Sequence, residues 1–176
     1  THEAGNQYID AGVNVNDNYD KEISVTLVGE VNSNLAGEYQ LVYTAEDSSK
    51  NKTQIVRLVK VVDTIAPTLT LNGDANVTHE AGTVFVDDGA TAIDLADGEL
   101  EVVVEGEVKV NVLGTYTLRY SASDKVGNTS SLMRIVNVVD TTSPEMVLNG
   151  GSIMTLEAGS EYVELGVNAF DLGNTV

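Results

Sequence analysis

The residues with chemistry to offer are acids. Twenty-seven aspartates and glutamates stand against nine lysines and arginines. Their positions follow a pattern. Asp63 lies in Val61-Val62-Asp63-Thr64-Ile65-Ala66-Pro67, and Asp140 lies in Val138-Val139-Asp140-Thr141-Thr142-Ser143-Pro144, 77 residues further on. The loop Asp94-Leu95-Ala96-Asp97-Gly98-Glu99 carries three more, and Asp124 opens the turn Asp124-Lys125-Val126-Gly127-Asn128. Glu3 and Glu80 head two copies of Glu-Ala-Gly, and Asp171 sits near the end. Carboxylates gathered without nitrogen or sulfur ligands suit a hard cation, and calcium takes about six to eight oxygens in irregular geometry. The absence of cysteine excludes thiolate metal sites and disulfides.

Other chemistries fare worse. There is no Gly-x-Ser-x-Gly and no glycine-rich phosphate loop, and neither His2 nor His79 has a nucleophile to pair with. Asp94 and Asp97 could mimic a glycosidase pair, but they lie on a repeated loop, so no enzymatic role is expected. Asp10, Asp87 and Glu164 recur just before Gly12, Gly89 and Gly166 and read as turn caps. The net charge of -18 argues against nucleic acid and against anionic membrane surfaces. No apolar run approaches the ~20 residues of a membrane span.

The elements that must position these acids come in repeats. Shifting the chain by 77 aligns 1–64 with 78–141 without a gap, with 28 of 64 positions identical. Thr1-His2-Glu3-Ala4-Gly5 returns as Thr78-His79-Glu80-Ala81-Gly82 and, weakened, as Thr155-Leu156-Glu157-Ala158-Gly159. The expected domains are 1–64, a repeat lacking its first strand, then 65–141, a complete repeat, and 142–176, the opening part of a third. The chain is expected to be a stretch of a longer array.

Within the complete repeat, short runs alternate with turn signals and show no helical period. Strands are expected at Thr68–Leu71, Val77–Glu80, Val84–Val86, Ala90–Ile93, Leu100–Glu105, Glu107–Val110, Thr115–Ser123 and Thr129–Val139. In Thr115–Ser123, Tyr116, Leu118, Tyr120 and Ala122 share one face, and Tyr39, Leu41, Tyr43 and Ala45 match them in the first repeat. Val25/Val102, Leu27/Val104, Val31/Val108 and Val59/Val136 complete the expected core. The fold class is all-β: tandem antiparallel sandwiches of about seven strands with a 77-residue period.

These residues resemble the bacterial immunoglobulin-like repeats of surface adhesins, which also flank the catalytic domains of secreted hydrolases. The markers are the Val-Val-Asp-Thr-x-x-Pro joint, Leu-Asn-Gly after it, Glu-Ala-Gly, Gly114-Thr115-Tyr116-Thr117-Leu118, and Tyr120-Ser121-Ala122-Ser123-Asp124-Lys125-Val126-Gly127-Asn128. The first repeat departs at Lys50, where a glycine is usual, so its turn is expected to differ. The resemblance implies an extracellular or cell-surface spacer whose partners are neighbouring repeats. Valine-rich edge strands are an expected place for lateral self-association. A glycan- or protein-binding module is the alternative, with Tyr19 as the exposed-looking aromatic. A spacer beside a secreted hydrolase is another.

In a sandwich of this type the B–C and F–G loops share one end. The first joint should then gather Glu3 and Asp63 from the leaving repeat and Asp94, Asp97, Glu99 and Asp124 from the entering one. The second should gather Glu80, Asp140 and Asp171. Calcium is the expected occupant, in an arrangement similar in placement to cadherin joints. Solvated aspartate turns are the competing reading.

Overall fold

The computed structural model describes residues 1–171, 174 and 175. The described chain is entirely β. β1 (His2–Glu3), β2 (Ser24–Val28), β3 (Gly37–Glu46) and β4 (Lys52–Val62) belong to the first repeat. The second repeat has β5 (Thr68–Leu71), β6 (Asn76–Glu80), β7 (Ala90–Asp94), β8 (Gly98–Leu100), β9 (Val103–Glu105), β10 (Gly114–Ser123) and β11 (Thr129–Val139). β12 (Glu145–Leu148), β13 (Val167–Asp171) and β14 (Asn174–Thr175) follow. β3 and β10, and β4 and β11, have identical lengths at the 77-residue offset. The sheets run β1-β4-β3-β2, β6-β11-β10-β9, β5-β7-β8 and β12-β13-β14. The long pairings are antiparallel, but β1 lies parallel to β4 and β6 parallel to β11. Among the described residues no helix is long and apolar enough to cross a membrane.

Two expected strands are coil. Val84 and Val86 are both exposed, so nothing holds 84–86 in a sheet. The stretch 107–109 is coil and leads into a turn at 109–112, with Val112 N donating to Lys109 O at 3.0 Å. Leu100–Glu105 is not one strand but two, β8 and β9, which belong to different sheets. The turn at Lys50 is built as in the second repeat: Lys50 takes φ 73°, in the left-handed region that Gly127 occupies at φ 98°.

The chain divides into two compact units that cut across the repeat. One comprises Thr1–Thr70, Ala90–Val103 and Tyr120–Leu132; the other comprises Leu71–Gly89, Val104–Arg119 and Met133–Val176. In the first, Ala4, Leu41, Tyr43, Val59 and Val61 form a core, with Tyr8, Val13, Val31, Tyr39 and Ala96 packed against it. Each fully buried side chain of this size contributes about 1.5–3 kcal/mol. Ala122 and Tyr120 are buried here too, as the alternation in β10 requires. Val25 and Leu27 were expected in the core but are nearly half exposed, because β2 is an edge strand. Val104 on β9 is exposed for the same reason.

In the second unit, Val136, Val138 and Leu118 are buried, and Arg134 is 1% exposed. Its guanidinium pairs with Asp87 and also donates to the carbonyls of Asn72, Asp74 and Gly89. The equivalent in the first unit is Arg57, which pairs with Asp10 and donates to Gly12 O at 2.7 Å. Asp10 does cap its turn, accepting from Gly12 N at 2.9 Å, and Tyr43 donates to it as well. The sequence signal for this pair was that Arg57/Arg134 is the one basic identity between repeats.

Candidate metal centre at the first joint

All parts of this site lie in the first compact unit. Asp63 follows directly on β4, Asp94 is the last residue of β7, and Asp124 follows directly on β10. Strand ends are where aspartate is at home, because its carboxylate can close the next turn. Asp94 Oδ1 accepts from Ala96 N at 2.8 Å and Asp97 N at 2.9 Å. Asp124 Oδ1 accepts from Val126, Gly127 and Asn128 N at 3.0, 2.7 and 2.8 Å, and Oδ2 accepts from Asn128 Nδ2 at 2.7 Å. The Asn128 amide also reaches the backbone carbonyl of Asp63, at 3.3 Å.

One carboxylate oxygen from each of Asp63, Asp94 and Asp124 lies within 4.8 Å of the other two. Asp94 is 4% and Asp124 7% exposed, and Asp63 is half-buried. Burial raises the Asp63 carboxyl above its ordinary value; the charges of Asp94 and Asp124 raise it further, against an opposing hydrogen bond from Ile65 N. Burial also pushes Asp124 upward, but the Asn128 side chain and the turn amides outweigh it and leave Asp124 below the usual range. The decisive atom is Asp94 Oδ2. It is buried and has no hydrogen-bond partner. An anionic oxygen removed from water without a partner is costly. The donor set is all hard oxygen and fits a calcium-class cation better than a transition metal.

The other expected ligands lie elsewhere. Glu3 borders the cluster, and its negative charge adds to the upward shift of Asp63. Both its oxygens are engaged by Thr64, from N at 2.6 Å and Oγ1 at 3.0 Å. Asp97 is spent on Lys125, accepting from its N and Nζ at 2.8 Å each, and the ammonium holds its carboxyl low. Glu99 is exposed on β8 and outside the trio. In the second compact unit, Glu80 accepts from Thr141 N at 2.9 Å and Oγ1 at 2.7 Å and from Thr142 Oγ1 at 2.9 Å. Those bonds, led by the Thr141 hydroxyl, lower its carboxyl to about 2. Asp140 is exposed and accepts from Thr142 N at 3.3 Å. Asp171 is half-buried at the end of β13. The sequence reading overlooked Asn128, although it is identical to Asn51 in the first repeat.

The joint is also packed by apolar contact. Gly5 has φ +79°, and a Cβ there would lie 2.5 Å from Leu95 Cγ. Ala96 packs against the first-repeat core. His2 and His79 are structural. Each ring nitrogen Nε2 meets a backbone carbonyl, of Asn6 at 2.9 Å and Thr83 at 3.2 Å, and each ring packs edge-on against Tyr8 or Phe85.

The two sheets of the second repeat, the strand pairs repeated at a 77-residue offset and the acidic strand ends at the joint define a tandem immunoglobulin-like β-sandwich. The chain belongs to the family described as bacterial surface protein, Ig-like domain, which matches residues 1–61 and 69–138. It is 29% identical over 164 residues to an uncharacterised 81.3 kDa protein of Acholeplasma phage L2, covering 85% of this chain and 22% of that protein. The chain thus spans about a fifth of that relative's length. Among solved structures, a lipoprotein from Bacteroides thetaiotaomicron is 33% identical with a TM-score of 0.40, covering 44% of this chain and 39% of that one. The structure of CBM51-2, in complex with GlcNAc, and INT domains from Clostridium perfringens ZmpB is 25% identical with a TM-score of 0.35, covering 49% and 21%.

Proposed function

We propose that this chain is a spacer segment of an extracellular repeat array whose first joint is stiffened by a calcium ion held by Asp63, Asp94 and Asp124. The observation that carries this reading is Asp94, whose buried Oδ2 has no hydrogen-bond partner and whose carboxylate offers an oxygen within 4.8 Å of one from each of Asp63 and Asp124. Family membership supports the surface setting. Bound cation would neutralise a repulsion that otherwise opens the joint. It would also tie the end of β4 to the loops after β7 and β10, turning a hinge into a strut. Repeat arrays set their length by copy number and their stiffness at each interface. The chemistry supplied is cohesion, not catalysis.

Thermal unfolding in calcium and in chelator, at fixed ionic strength, tests this. A ligand bound to the folded form alone adds about 2.7 kcal/mol at a hundred times its dissociation constant. For a unit this small the midpoint should rise by about 10 °C. Asp94→Asn keeps an oxygen for the turn amides and removes the charge, so it should abolish the calcium shift without lowering stability in chelator. Glu99→Gln should leave the shift intact. No shift in wild type at millimolar calcium would leave the acids as solvated turns.

A further inference from the structure

Asn128 ties the first joint together without being one of its acids. Its side-chain nitrogen Nδ2 donates to Asp124 Oδ2 at 2.7 Å and to the Asp63 backbone carbonyl at 3.3 Å. One amide, with two protons to give, is shared between two of the three residues of the trio. Its own backbone closes the turn: Asn128 N donates to Asp124 Oδ1 at 2.8 Å, and Asp124 N donates to Asn128 O at 3.1 Å. These bonds also sort the oxygens of the acids. A carboxylate has about four lone-pair sites over its two oxygens. Asp124 Oδ1 already accepts from the amides of Val126, Gly127 and Asn128, whereas Oδ2 accepts from Asn128 Nδ2. Asp94 divides in the same way: Oδ1 takes the amides of Ala96 and Asp97, and the buried Oδ2 takes none. The oxygen of Asp124 with room for a cation is therefore the one that Asn128 grips.

We propose that Asn128 is the positioning residue of this cation site, acting through Asp124 Oδ2 and the Asp63 main chain and not as a ligand; the proposal rests on the calcium reading above. Three carboxylates in one place push each other apart. Asn128 opposes that push, because it holds the end of β4 against the turn after β10 and fixes how Oδ2 is presented. It does so without charge. A lysine there would pair with an acid and compete with the cation, and an aspartate would have no proton to donate. Hydrogen-bonded partners of ligating groups are worth about 10–100-fold in metal affinity. The first repeat supplies a matched turn for comparison. Asn51, 77 residues earlier, donates to Asp47 from N at 2.8 Å and from Nδ2 at 2.7 Å. Asp47 belongs to no acidic trio among the described residues.

Calorimetric titration of the full chain with calcium chloride tests this in wild type, Asn128→Ala and Asn51→Ala. The backbone bonds between Asp124 and residue 128 do not need the amide side chain, so the turn should stay closed in Asn128→Ala. That variant should bind calcium about 10–100-fold more weakly than wild type, while Asn51→Ala binds as wild type does. Both variants give up a turn bond, so loss of turn stability alone would act on both. Calcium affinity unchanged in Asn128→Ala overturns the proposal and leaves the calcium reading standing. Equal weakening in the two variants overturns it as well, since loosened turns then suffice. A wild type that binds no calcium at millimolar concentration overturns both readings. Amide exchange in the wild-type chain needs no variant to fold. In chelator both side-chain amide protons of Asn128 should be protected from water, and a proton toward the Asp63 carbonyl that exchanges freely overturns the proposal.

Discussion

The two repeats hold the same polar residues in two different settings. Asp17 and Asp47 in the first, and Asp94 and Asp124 in the second, close the same turns with the same backbone donors. Yet Asp94 is 4% exposed while Asp17 is open to solvent. The buried ion pairs differ likewise: the side chain of Arg134 is 1% exposed and that of Arg57 33%. Arg134 gains the carbonyls of Asn72 and Asp74, which follow β5. Residue type and turn geometry are therefore not what makes a site. The segment laid over them, Asp63 to Asp74, supplies the third carboxylate at one end and the extra carbonyls at the other. Each contribution can be broken separately.

The largest effect is expected at the arginines. Arg134→Met should cost about 3 kcal/mol in urea unfolding, because it removes a fully buried guanidinium together with its ion pair to Asp87 and its bonds to three carbonyls. Arg57→Met should cost visibly less, since the Arg57 side chain is itself 33% exposed and bonds one carbonyl where Arg134 bonds three. Equal losses would show that the covering segment adds nothing to the pair.

Glycines sharpen the contrast next. Gly5→Ala must place a methyl against Leu95 in a left-handed backbone. It should lose about 3 kcal/mol, combining backbone cost with overpacking. Gly12→Ala has nothing within 4 Å of its added carbon at a similar φ of +70°, and should lose only the backbone cost of about 1–2 kcal/mol. Differential scanning calorimetry of both variants separates the two contributions.

Calcium gives a smaller but more specific comparison. Asp17→Asn should leave the calcium-induced rise in melting temperature intact, because among the described residues no third carboxylate joins Asp17 and Asp47 as Asp63 joins Asp94 and Asp124. Asp94→Asn should remove it. Loss of the shift in both variants would mean that ordinary surface screening, not a site, produces the rise.

Much of this was legible from sequence because it is periodic. The 77-residue offset carried the strand pairs β3/β4 and β10/β11, and strict alternation in 115–123 placed Leu118, Tyr120 and Ala122 inside. Asp63, Asp94 and Asp124 were nameable because joints and loops of a sandwich meet at one end. What sequence could not divide was the acids that face the cluster from those that do not. Asp97 and Glu80 have the same charge and repeat equally well, but local donors from Lys125 and Thr141 consume them. Alternating valines also misled at Val84–Val86, since periodicity marks a strand only where a partner covers one face.

The subtlest expected effect lies in pH, where an acid at the first joint and one at the second should move in opposite senses. Glu80 falls from an ordinary 4.5 to about 2 on folding, chiefly through the Thr141 hydroxyl and amide. Its contribution to stability is fully present above the unfolded value and is lost as pH falls through about 2. Asp63 is raised above 3.8 by burial and by Asp94 and Asp124. Its contribution is fully present below 3.8 and is lost as pH rises through its folded value, so without divalent cation the first joint should firm as it is acidified. Carboxyl carbon shifts in chelator check both at once. Glu80 should titrate near 2 and Asp63 above its unfolded value, and saturating calcium should draw Asp63 down while leaving Glu80 where it was. An Asp63 that titrates normally in chelator would mean that its carboxylate does not face Asp94 and Asp124 at all. The orphaned Asp94 oxygen would then have to be satisfied by water, and the joint would be a solvated hinge.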